Sequence, residues 1–191
     1  MKTKILAAAL AAAFCGAAFA QTGSVQRDVN QQNRIEQGLQ SGQLTTGEAA
    51  RLEREEGKVE RDQSRALRDG NLSPAEKARL GREQSKVSRD IYREKHDPQT
   101  GNSASASSQR MQADVQRNAN EQRRIEHGVQ SGQLTQREAG RLEHAQARDS
   151  RLEARAGADG KVGTREQSRI QRSESRQSRH IYRQKHDAQH N

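Results

Sequence analysis

A chain of 191 residues with a formal net charge of +9, 29% hydrophobic and 2% aromatic residues has little to bury and borders on the composition of disordered proteins. Its single cysteine, Cys15, excludes any internal disulfide, although an exported chain could have used one. Ala, Glu, Gln, Arg and Lys abound and there are two prolines, which favours helix over coil.

The chain begins MKTKILAAALAAAFCGAAFA. Lys2 and Lys4, the apolar run from Ile5 and the small-x-small triplet Ala18-Phe19-Ala20 read as a secretory signal over 1–20, cleaved before Gln21. The expected location is periplasmic or secreted. Cleavage removes Cys15 and both phenylalanines, so Tyr92 and Tyr182 are the aromatics of the expected mature chain.

Residues 25–97 align without a gap with 115–187 at an offset of 90; both contain VQR, RIE, QSGQLT, RLE, DG and IYR and close on KHD. This is a tandem duplication. The expected organisation is a first repeat unit over 21–97, a flexible linker over 98–110, rich in Ser, Ala and Gly, and a second unit over 111–191. In the first unit Val25, Val29, Ile35 and Leu39 predict one helix, Ala49, Leu52, Val59 and Ala66 a second, and Leu80, Val87 and Ile91 a third. Their spacings of three, four and seven make an apolar helical stripe, and no window alternates as a strand would. The predicted class is all-α, two homologous three-helix units.

Four copies of one motif join the helices: SGQLTTGE from Ser41, DGNLSPAE from Asp69, SGQLTQRE from Ser131 and DGKVGTRE from Asp159. Each has the glycine and late glutamate of a calcium-binding helix-loop-helix, but Gln37, Arg65, His127 and Arg155 stand where the first oxygen ligand belongs. Helix capping explains the retained residues: Thr45 with Glu48, Ser73 with Glu76, and Thr135 with Glu138 form capping boxes, and the glycines turn the chain. The alternative is a divalent-cation site using Asp69, Glu76, Asp159, Glu166 or the late pair His186 and His190, which are four residues apart.

Residues 25–97 carry 15 Lys and Arg against 14 Asp and Glu, whereas 115–187 carry 16 against 10. Glu55, Glu56, Glu60 and Asp62 correspond to Ala145, Gln146, Ser150 and Leu152, so the second unit's middle helix is expected to change a mixed face for a basic one with Arg148, Arg151 and Arg155. Tyr182, Arg183 and Lys185 in the repeated IYR-x-KHD end are further anion-contact candidates. The cations are interleaved with glutamates and two tyrosines make no stacking platform, so nucleic acid is not an expected partner. Phosphate-loop, HExxH and nucleophile-elbow patterns are absent from the sequence; no enzyme activity and no cofactor are expected.

The phrase R-I-x-x-G-x-x-S-G-x-L-T-x-x-E at Arg34–Glu48 and Arg124–Glu138, followed by IYR-x-KHD at Ile91–Asp97 and Ile181–Asp187, resembles a group of small exported proteins of Gram-negative bacteria. Leu44-Thr45 and Leu134-Thr135 give a looser similarity to the LTxxQ motifs of the periplasmic Spy, CpxP and ZraP proteins, with Glu48 and Glu138 in place of Gln. These resemblances imply a helical, non-enzymatic, stress-protective or metal-handling protein. The expected function is binding to envelope proteins or to an anionic lipid or lipopolysaccharide surface, with self-association completing a thin core.

Overall fold

The computed structural model describes residues 15–187, with side chains from residue 23. Six helices form it: α1 (Cys15–Ser41), α2 (Thr46–Ala66), α3 (Pro74–Lys95), α4 (Ala106–Gln130), α5 (Gln136–Ala156) and α6 (Thr164–Lys185). Among the described residues there is no strand, so the class is all-α. Most of the expected signal segment, residues 1–14, lies outside the described residues, as does His190. Among the described residues no helix is long and apolar enough to cross a membrane.

The repeated motif sets the helix starts. The Thr45 hydroxyl accepts from the Glu48 amide at 3.2 Å, and the Glu48 carboxylate accepts from the Thr45 amide at 2.8 Å. Ser73 with Glu76 and Thr135 with Glu138 repeat the box. In the fourth copy Gly163 has no hydroxyl, and one half survives, Gly163 N–H donating to Glu166 at 2.8 Å. Gly42, Gly70, Gly132 and Gly160 all have φ between 72° and 87°, the left-handed region that a Cβ disfavours. Leu44, Leu134 and Val162 after them are buried and Leu72 is half-buried.

The two halves share one interior. α1 lies along α4, and α2 along α5. One apolar cluster takes Ile35, Leu39, Leu52, Val59 and Ile91 from the first half and Met111, Val115, Val162 and Ile170 from the second. Ile125, Val129, Leu134, Leu142 and Ile181 form a smaller cluster within the second half. Each central helix thus meets its own duplicate. Two hydrogen bonds join equivalent positions, 90 residues apart: Arg123 Nη2 to Asn33 Oδ1 at 3.3 Å and Ser150 Oγ to Glu60 Oε2 at 2.9 Å. That is the pattern of a twofold axis, where a residue meets its own equivalent. Of the expected linker, Ala106–Arg110 belong to α4, whose start Ser105 caps. Before it, Gly101 N–H donates to the Gly42 carbonyl at 2.8 Å; a Cβ on Gly101 would lie 2.2 Å from the Leu44 carbonyl oxygen.

Apolar side chains fill only part of this interior. Glu53, Glu56 and Glu60 of α2 and Glu143 and Glu153 of α5 are buried between the helices, with Asp28, Asp114 and Glu121 from α1 and α4. Amides answer several of them: Gln32 donates to Glu53 at 3.1 Å, and its duplicate Gln122 donates to Glu143 at 3.2 Å and to Glu60 at 3.1 Å. Loss of hydration raises these carboxyls. Burial lifts Asp28 and Glu53 to about 7 and Glu143 to about 8, and Glu56, Glu60 and Glu153 rise well above the usual range by burial and by one another's charge.

Candidate functional site: an unpaired arginine face on α5 and α6

On α6, Arg165, Arg169, Arg172, Arg176, Arg179 and Arg183 recur at steps of four and three and are all exposed, while Ile170, Glu174, Gln177 and Ile181 are buried. The period of 3.6 places all six on one face. On α5 the exposed row is Arg137, Arg141, His144, Arg148 and Arg155, with Arg151 half-buried. α6 packs on α5, and Arg176 and Arg183 of α6 share a cleft with Arg148 of α5.

Nine ion pairs occur among the described residues, and eight lie in the first half. There Arg51 pairs with Glu94, Arg65 and Arg79 with Asp62, Arg79 with Glu83, Lys86 with Glu55 and Asp90, and Arg93 with Asp90, all at 2.5–3.2 Å. Every cation of that set is kept in the second half, as Arg141, Arg155, Arg169, Arg176 and Arg183. Every one of those acids is lost: Glu55, Asp62, Glu83, Asp90 and Glu94 correspond to Ala145, Leu152, Ser173, His180 and Gln184. The pair found in the second half, Arg117–Glu174 at 3.3 Å, takes its cation from α4.

This corrects the expected contrast between a mixed α2 face and a basic α5 face. Glu56 and Glu60 point inward and are at most 1% exposed, because they fall on the same turns as Leu52 and Val59; Asp62, 6% exposed, lies under its pairs with the exposed Arg65 and Arg79. The exposed row of α2, Arg51, Arg54, Lys58 and Arg65, is therefore basic too. The halves differ in whether their cations are neutralised.

Two clefts open on the α5–α6 surface. One, of about 460 Å³, is lined by Arg68 from the α2–α3 connection, by Arg137, Arg141, His144 and Arg148 of α5, and by His180. The second, of about 190 Å³, shares Arg148 and His180 and adds Arg176 and Arg183. Its one acid is the buried Asp149, held at about 6 by burial, with the Ser173 hydroxyl, Arg148 and Arg176 pulling it back. His180 is lowered, first by burial, then by Arg183, Arg148 and Arg141. Burial is the main cause of that shift, and the three arginines act in the same direction; clefts focus the field of such charges.

No family model, curated protein or solved structure matches the chain.

Of the anion-contact candidates read from the sequence, Arg148 and Arg183 meet in the second cleft. Tyr182 stacks on His186 at 4.1 Å and lines a third cleft with Arg124, Arg179 and Arg183. Arg155 is exposed along the same row, and Arg151 is half-buried. Lys185 turns toward α4, with Nζ 3.5 Å from His127 Nδ1. Arg141, Arg176 and His180 line the first two clefts without having been expected there; the four-three spacing of arginines on α6 is the signal that points to them. The alternative metal set is dispersed. Asp69 and Asp159 accept from the Asn71 and Lys161 amides within their own turns, Glu76 and Glu166 serve as caps, and His186 Nδ1 faces the Tyr182 carbonyl.

Proposed function

We propose that the chain is an exported, non-catalytic binding protein that meets anionic envelope surfaces, anionic lipid or lipopolysaccharide, through the arginine rows of α5 and α6. A duplicated three-helix unit supplies the scaffold, and the second copy supplies the contact. The observation that carries this reading is the selective loss of acids: five cations are retained, and the five acids that lie within 3.2 Å of them in the first half are gone. Were solubility the only demand, scattered losses of either sign would serve. Guanidinium groups suit phosphates because their planar donors bind two oxygens at once. Tyr182 adds an amphipathic ring of the kind favoured at a membrane–water boundary.

The test is co-sedimentation of the mature chain with vesicles of phosphatidylcholine, with and without phosphatidylglycerol. Binding should need the anionic lipid and fade as salt rises to several hundred millimolar. The variant Ala145→Glu with His180→Asp recreates two first-half acids beside Arg176 and Arg183. At about 1 kcal/mol per cation neutralised near the surface, it should weaken binding by about tenfold or more. Unweakened binding by this variant, with its melting temperature preserved, would remove the α5–α6 face from the reading.

A further inference from the structure

We propose that Glu48, Glu94 and Asp97 form a binding site for a hard divalent cation, with calcium the best fit, where the α1–α2 turn meets the end of α3. The two sequence stretches most faithfully repeated, SGQLTTGE and IYREKHD, meet at this point. One carboxylate oxygen from each of the three residues lies within 4.8 Å of the other two. Glu48 is fully buried and its two oxygens have different duties. Oε2 is fixed by the Thr45 amide at 2.8 Å. Oε1 is buried with no hydrogen-bond partner. The capping box therefore holds in place one buried oxygen that no donor hydrogen-bonds, as a ligand site requires.

Charge makes the same demand. Three carboxylates converge, and among the described residues the one cationic side chain that pairs with any of them is Arg51, 3.0 Å from Glu94 Oε2 and 3.7 Å from Glu48 Oε1. The cluster keeps two net negative charges, which one divalent ion neutralises. The C-terminal end of α3 adds the negative pole of its dipole. Asp97 Oδ1 accepts from the Gln99 amide at 2.9 Å, which leaves its other oxygen for an ion. All-oxygen ligation selects hard cations. Opposite ligands around calcium, at 2.3–2.6 Å each, are about 5 Å apart, and calcium tolerates irregular shells completed by water, whereas magnesium demands a tighter octahedron.

The duplicate is an internal control. Its equivalents are Glu138, Gln184 and Asp187. Glu138 Oε1 is likewise buried without a hydrogen bond, but the middle carboxylate has become an amide, and Gln184 Nε2 donates to Asp187 Oδ2 at 3.1 Å. The second half thus has two carboxylates and a donor where the first has three carboxylates.

The site is tested on the mature chain by calorimetric titration with calcium and by melting in calcium, in magnesium, and in sodium chloride of matched ionic strength. One calcium should bind with a Kd on the order of 10⁻⁴–10⁻³ M, as for extracellular modules. Calcium at about 10 mM, well above that Kd, should raise the melting temperature beyond the sodium control. Glu94→Gln copies the tolerated second-half arrangement, so it should fold normally and lose the response; Asp97→Asn should do the same. Gln184→Glu should create a second site and raise the stoichiometry toward two. A calcium response no larger than the sodium control, or one that survives in Glu94→Gln, overturns the site.

Discussion

At Asp28 and Asn118 the two halves solve one buried contact in opposite ways. Gln63 donates to Asp28 at 2.7 Å, whereas Asn118 donates to Glu153 at 2.8 and 3.0 Å. Positions 28 and 118 are equivalent, as are 63 and 153, so the acid and the amide have changed places and each pair keeps one of each. A buried acceptor without a donor costs about 1–3 kcal/mol, and two buried carboxylates in contact repel as well. Asn118→Asp should therefore destabilise by about 2–4 kcal/mol at pH 7. Adding Glu153→Gln, which rebuilds the first-half pairing, should recover most of the loss; simple additivity in urea unfolding would refute the coupling. These contacts escape a reading by hydrophobic period because the polar residues occupy core positions. Asp28 falls three residues after Val25, and Gln32 three after Val29 and three before Ile35, on the very turns that an apolar stripe would fill.

At the scale of elements, α2 and α5 approach closely because small residues line their contact. A Cβ on Gly57 would lie 3.1 Å from that of Ser150, one on Gly140 2.9 Å from that of Leu67, and one on Gly157 2.7 Å from that of Ala50. The last contact is with a side chain that has no room to turn. Gly157→Ala should cost about 1–3 kcal/mol by overpacking, seen as a lowered urea midpoint, whereas Gly23→Ala, with open space around it, should change little. Helix number and the starts of α2, α3 and α5 were legible in the sequence because capping boxes and turn glycines are local chemistry; the start of α4 was not, since Ala106–Arg110 read as linker. The inward direction of Glu56 and Glu60 was not, because acids at core spacing read as a solvated face until the partner helix is known.

For the whole molecule the buried carboxyls set an unusual dependence on acidity. Asp28, Glu53 and Asp114 titrate at about 7, and Glu121, Glu143 and Glu174 at about 8, against about 4 in an unfolded chain. The folded state thus binds more protons than the unfolded one between about pH 4 and 8. The stability these groups contribute is fully present below the unfolded value and is lost as the pH rises through 7 and 8. The melting temperature should be higher at about pH 5.5 than at about pH 8, the reverse of a protein held by paired carboxylates; an unchanged or rising value would show that the interior acids are ionised and answered. The duplication announced two similar halves but not their joint interior, since a repeat does not encode which faces meet. The arginine rows were legible as spacing and as an excess of charge, but not as unpaired, because that requires the positions of the acids in the other half.

The axis through Glu60 and Ser150 carries a consequence for how such a surface could arise. In a homodimer of one unit, a residue on the axis faces itself, and two copies of Glu60 would set carboxylate against carboxylate in the interior. A single fused chain gives the two positions separate codons, and serine can then answer glutamate. The same freedom extends outward. A symmetric dimer must display any charged face twice, whereas the fused chain displays it once, with neutralised pairs on one side and bare guanidinium groups on the other. With each position coded separately, one set of cations keeps its acids and its counterpart does not.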